Sequence, residues 1–181
     1  MLAARESLLR EHGYLCTYCG RSVASDGSDS HIEHFFPQSK FKDWSVEWWN
    51  LFVSCGRANT DLLPATCGTK KGDWSPISNF IFPSSLDCER RFRYDGLGDI
   101  APKLATDAAA AEMIVRLALD NEALSLERQQ VIAALEADVT SGELTVASFP
   151  QEIERWRTPD PEGRLKAFSQ VAARYLEDES V

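Results

Sequence analysis

The sequence predicts an α+β fold, with a metal-braced core over residues 1–100 followed by an α-helical C-terminal region over residues 101–181. Three observations predict it. Two separated cysteine pairs, Cys16/Cys19 and Cys55/Cys67, bracket a segment that carries His31, Glu33 and His34. That segment follows a Ser/Asp/Gly-rich stretch and stops at Pro37, which suits a short strand between turns. Beyond Thr106 the pattern changes to apolar residues at helical spacing, interrupted by Asp-Asn, Ser-Gly and Asp-Pro breaks.

Taken in order, Leu2 to Glu11 reads as a short helix with Leu8 and Leu9 on its apolar side. It ends at His12-Gly13, where glycine accepts the left-handed turn of a helix stop. Cys16-Thr17-Tyr18-Cys19-Gly20 then places two thiols in one tight turn. Together with Cys55 and Cys67 they suit a tetrahedral zinc ion. Ser22 to Ser30 is a solvated loop. In a strand over Ser30 to Phe36, His31 and Glu33 point one way, Ile32 and His34 the other. Trp48 and Trp49 read as scaffold aromatics. Asn50 opens an apolar run and is expected to hydrogen-bond backbone across the neighbouring loop. Gly56 to Thr66 is a polar loop. Lys70 and Lys71 follow Cys67, and Arg90, Arg91 and Arg93 form the densest basic spot of the chain. Phe92 and Tyr94 predict a short strand turning at Asp95-Gly96, and Cys88 falls outside the cysteine pattern.

In the second half, Asp107 is expected to cap a helix over Ala108–Leu119. A second helix runs from Leu124 or Ser125 to about Val139, with Leu126, Val131, Ile132 and Leu135 on its apolar face. A third is expected over Pro150–Trp156, and a fourth from an Asp160-Pro161 cap to about Glu177.

The 181 residues, 44 % hydrophobic and 26 % charged, suit one or two compact domains rather than disorder. No apolar run reaches the ~18 residues that a membrane-spanning helix needs. The start, Met1 to Glu6, is too polar for a signal peptide, so a cytoplasmic address is expected. There, cysteines serve as metal ligands more often than as disulfides. The net charge of −9 is uneven: residues 1–100 carry 11 Lys+Arg against 13 Asp+Glu, residues 101–181 carry 8 against 15. The helical half is therefore a poor surface for nucleic acid and a better one for a protein partner.

These residues resemble the HNH, or ββα-metal, endonuclease superfamily in its four-cysteine form. The match consists of Cys16/Cys19, Glu33-His34 followed by Pro37, Asn50-Leu51, Cys55, and Cys67 with Lys70-Lys71-Gly72. More narrowly, I-E-H-F-F-P-Q-S-K, W-N-L-F-V-S-C and C-G-T-K-K-G are similar to the HNH nucleases of retron and Septu anti-phage systems. The likeness extends from about Leu9 to about Arg128.

The resemblance implies phosphodiester hydrolysis. His34 would be the general base, Glu33 a ligand to a catalytic Mg²⁺ or Mn²⁺, and Asn50 the residue that positions the loop. An imidazole suits the base because its pKa lies near neutrality. Oxygen donors suit the hard cation and thiolates suit zinc, so two different metals are expected. The superfamily's last catalytic-metal ligand is an Asn or His near the second knuckle cysteine. Here Gly68 and Thr69 stand there, leaving the Thr69 hydroxyl, a water or Asn59 to complete the shell. His31, Lys70, Lys71, Arg91 and Arg93 are expected phosphate contacts. The implied partners are nucleic acid, DNA more than RNA, and an ATPase subunit docking on the acidic helices. The alternative is a zinc-braced adaptor whose inner site has decayed.

Overall fold

Helix α1 spans Leu2–Glu11 and drives Leu8 and Leu9 into the core, its stop at Gly13 taking a left-handed φ of 56°. The computed structural model describes residues 2–56, 65–76 and 80–180. After α1 the chain forms the first cysteine turn, then β1 (Ser30–His34) and β2 (Leu51–Cys55). These strands pair antiparallel, with His31 opposite Ser54, Glu33 opposite Phe52 and His34 opposite Leu51. A five-residue helix, α2 (Cys67–Lys71), follows. The order strand, strand, short helix is thus present around the cysteines.

A second small sheet pairs β3 (Phe92–Tyr94) with β4 (Ile100–Pro102), turning at Asp95 as the sequence predicts. Helix α3 (Ala108–Leu117) begins at Asp107, whose carboxylate accepts from Ala110 N. Helix α4 (Glu122–Ser141) begins at Asn121, which accepts from Ala123 N, and stops at Gly142 in the left-handed conformation. Helices α5 (Phe149–Arg157) and α6 (Ser169–Glu179) complete the described chain. No helix among the described residues is long and apolar enough to cross a membrane.

Two helical expectations change. Asp160 does not start a helix. Its carboxylate accepts from Glu162 N and Arg164 N, closing a local turn instead, and α6 begins nine residues later at Ser169. An Asp side chain satisfies nearby N–H groups equally well in a turn, so the cap signature alone cannot choose. On α4, Leu126 is 53 % exposed, whereas Arg128 is only 1 % exposed. The buried stripe runs Leu124, Arg128, Ile132, Leu135, at helical spacing.

One hydrophobic cluster joins Leu8, Leu9, the four paired cysteines, Val53 and Phe92 to Met113, Leu117, Ile132 and Val171. It therefore contains residues from both sides of residue 100. A second cluster packs Leu135 and Phe149 against Ala172 and Leu176. A third, of Phe35, Phe36 and Phe52, lies behind β1 and β2. Trp44 and Trp49 pack edge-on against Phe36, Trp48 donates to Glu11, and all three are 37–44 % exposed rather than core.

Candidate metal centre and the Glu33 site

The four thiols converge as the spacing suggests. All four Sγ atoms lie within 4.8 Å of one another, buried and free of disulfides. Cys19 and Cys55 Sγ are 3.6 Å apart, near the ~3.8 Å edge of a tetrahedron with Zn–S bonds of about 2.3 Å. The backbone builds this convergence. Gly20 N donates to Cys16 O at 2.9 Å to close the first turn, and Thr17 N donates to Val53 O at 2.9 Å to seat that turn on β2. Gly20, at φ 80°, has no room for a side chain, because a Cβ there would lie 2.0 Å from the Gln170 amide. Gln170 in turn donates to Cys19 O at 3.0 Å.

The thiols also bias one another. Burial opposes ionisation of Cys16, but hydrogen bonds from Cys19, Cys55 and Cys67 outweigh it and hold Cys16 well below the ordinary thiol value. Hydrogen bonding to Cys16, then burial, raises Cys67, and the bond to Cys16 likewise raises Cys19. A cation at the centre supplies what four thiolates need in order to coexist, so the donor set fits a metal ion such as zinc. Cys88 stands outside the cluster, and burial pushes its thiol up to about 12.

Beside this centre sits Glu33, only 7 % exposed. Its Oε1 receives Lys71 Nζ at 2.7 Å and the Tyr18 hydroxyl at 3.4 Å, while its Oε2 faces His31 Nε2 at 3.4 Å. Strand alternation places His31 and Glu33 on one face, as expected. His31 Nδ1 lies 2.8 Å from Gly56 O. A carbonyl only accepts, so Nδ1 carries a proton; Nε2 donates to Glu33 when the ring is protonated and presents a lone pair toward it when the ring is neutral. The hydrogen bond with Glu33 raises the His31 pKa above its ordinary value, against the opposing effect of burial. Burial, and then the Glu33 charge, hold the Tyr18 hydroxyl well above the ordinary phenol value, so it remains a donor.

His34 lies in a different set of bonds. Its Nε2 lies 2.9 Å from Ser45 O and 2.8 Å from the Gln38 amide nitrogen, which is also 3.2 Å from its Nδ1. Asn50 is fully buried and bridges the loop between them. It accepts from Phe36 N at 2.8 Å and donates to Phe36 O at 3.1 Å and Trp44 O at 3.0 Å.

The expected phosphate contacts divide. Lys70 and Arg93 are exposed and His31 is half-buried. Lys71 turns inward, donating to His34 O at 2.8 Å as well as to Glu33, because α2 lays its last turn against β1. Arg91 spends its Nε and Nη2 on Asp107 at 2.5 and 2.6 Å, an anchor between β3 and the start of α3. The Thr69 hydroxyl donates to Gly56 O at 3.0 Å, the carbonyl that also holds His31. Asn59 lies outside the described residues. Sequence reasoning missed the inward turn of Lys71 and the pairing of His31 with Glu33. For the second, the i, i+2 spacing on a strand was the available signal.

Among known proteins, the chain is similar to the Septu protein PtuB of Bacillus thuringiensis, with 27 % identity over 112 residues. The aligned part covers 61 % of this chain and 42 % of that protein, so the chain spans less than half the length of the relative it matches. No model of a known protein family matches the chain.

Proposed function

We propose that this protein is a divalent-metal-dependent endonuclease of the HNH type, serving as the nuclease of an anti-phage defence system alongside an ATPase subunit. The observation that carries the reading is the buried Glu33 carboxylate, presented with His31 at its side on a strand braced by a four-thiol centre. Similarity to a Septu protein supports the defence role. The acidic helical half offers the docking surface, since its charge repels nucleic acid.

In this reading zinc braces the four cysteines and Glu33 is a ligand of the inner ion. A bound Mg²⁺ or Mn²⁺ supplies charge stabilisation at the scissile phosphate and a lowered pKa for a bound water. His34 takes the proton. Ser45 O and the Gln38 amide nitrogen, 2.9 and 2.8 Å from its Nε2, hold the ring in place. Asn50 holds the Phe36–Trp44 loop that presents Ser45. Lys70 and Arg93 are surface cations available to phosphate.

The test is cleavage of DNA and RNA by the chain with its partner and Mg²⁺ or Mn²⁺, with His34→Ala as control. Loss of cleavage in that variant, with zinc content retained, is the expected result. A wild-type complex that cuts neither phage DNA nor RNA refutes the reading. One observation favours the zinc-braced adaptor instead: Lys71 already satisfies Oε1 of Glu33. An adaptor keeps its biological activity in the His34→Ala variant.

A further inference from the structure

We propose that His31 Nε2 and Glu33 Oε2 are the two protein ligands of the inner divalent cation, and that Gly68 keeps their position clear. This rests on the metal-dependent reading above, for which it names the ligand set. The two atoms are 3.4 Å apart on one face of β1. Cis donors at ~2.1 Å from an octahedral ion are separated by about 3 Å, so a movement of a few tenths of an ångström brings both onto one cation.

Both donors are held from behind. Gly56 O fixes the His31 proton on Nδ1, the arrangement that orients an imidazole toward a metal through its other nitrogen. Thr69 binds the same carbonyl and so acts behind His31. Lys71 and Tyr18 hold Oε1 of Glu33, which leaves Oε2 for the ion.

Gly68 is the second observation. A Cβ on this residue would stand 2.5 Å from Glu33 Oε2 and 2.7 Å from His31 Nε2. Its backbone cannot retreat easily, because Gly68 N is tied to Ser54 Oγ at 3.0 Å in the buried interior. The residue after the second-pair cysteine is therefore bare where the two donors meet. The nitrogen donor also sets the preference: Mn²⁺, Co²⁺ and Ni²⁺ bind this pair more tightly than Mg²⁺.

The test is Mn²⁺ titration of the zinc-loaded full chain by electron paramagnetic resonance, with pulsed measurement of nitrogen coupling to the bound ion. Wild type binds one Mn²⁺ and shows imidazole nitrogen coupling, and His34→Ala retains both. His31→Gln loses the coupling and binds at least tenfold more weakly. Gly68→Ala, which removes no donor, weakens binding to a similar degree with zinc content and circular dichroism unchanged. The variant His31→Gln serves where it folds, and Gly68→Ala decides where it does not. Absence of bound Mn²⁺ in wild type overturns the proposal, as does unaltered affinity with nitrogen coupling in His31→Gln. Those results leave the nuclease reading to its own cleavage assay. Conversely, a His31-dependent Mn²⁺ site in a complex that cuts nothing overturns the nuclease reading alone.

Discussion

Replacing Lys71 by Met isolates the charge balance at Glu33. The wild-type pair is buried on both sides, with Lys71 4 % and Glu33 7 % exposed and 2.7 Å between Nζ and Oε1. Methionine keeps most of the aliphatic stem, so the change is chiefly electrostatic. Removing one partner of a buried ion pair costs about 3–5 kcal/mol, because the remaining charge is stranded. Here Tyr18 and His31, each 3.4 Å from the carboxylate, soften the loss, so about 3 kcal/mol is expected at pH 7. Urea unfolding of the zinc-loaded protein, followed by tryptophan fluorescence, measures it. The double variant Lys71→Met/Glu33→Gln leaves no charge to strand. It should be more stable than Lys71→Met alone by at least ~1 kcal/mol, a coupling that a double-mutant cycle reads directly. A Lys71→Met protein within ~0.5 kcal/mol of wild type, or strictly additive variants, refutes the pairing argument.

Wild type should carry one tightly bound zinc, released by a mercurial reagent and counted with a chromogenic chelator. Cys67→Ser should lose both the metal and a large part of the stability, since structural zinc contributes on the order of 10 kcal/mol in small domains. Asp107→Asn keeps the helix cap but loses the Arg91 pair and should cost about 1–2 kcal/mol at pH 7. Bonding to Arg91 lowers the Asp107 pKa, so its contribution is present above the ordinary carboxylate value and is lost as pH falls through the lowered one. The gap between variant and wild type should accordingly close in acid below about pH 4, which unfolding curves at several pH values would display. Arg128→Met strands Gly98 O, Leu119 O and Ser125 Oγ, now bonded at 2.6, 2.9 and 3.0 Å. At about 1–3 kcal/mol for each stranded group, a loss above ~3 kcal/mol is expected in thermal unfolding.

What the sequence made legible depended on how local the determinant was. Helix α1, the Asp107 cap and the β3–β4 turn follow from neighbouring residues and stand where expected. The thiol cluster was legible because cysteines in two pairs have few other tasks in such a chain. Arg128 was not, because its burial depends on two carbonyls supplied by distant turns, at Gly98 and Leu119. Lys71 illustrates the same limit at the site. Whether a lysine at the end of a five-residue helix faces solvent or a strand is set by the rotation of that helix, which no spacing rule encodes.

The grip of the segment that leads into α6, and of the first turn of that helix, on the first cysteine turn has a consequence for biosynthesis. Leu165 N donates to Gly13 O, Phe168 N to Gly20 O, and Gln170 to Cys19 O. A ribosome exposes the thiols long before it exposes these three donors. The four thiols are therefore complete before the contacts that finally seat the turn, and a product terminated ahead of residue 165 lacks all three of them. Premature termination would thus leave the cysteine turn unseated, whatever it did to the residues around Glu33.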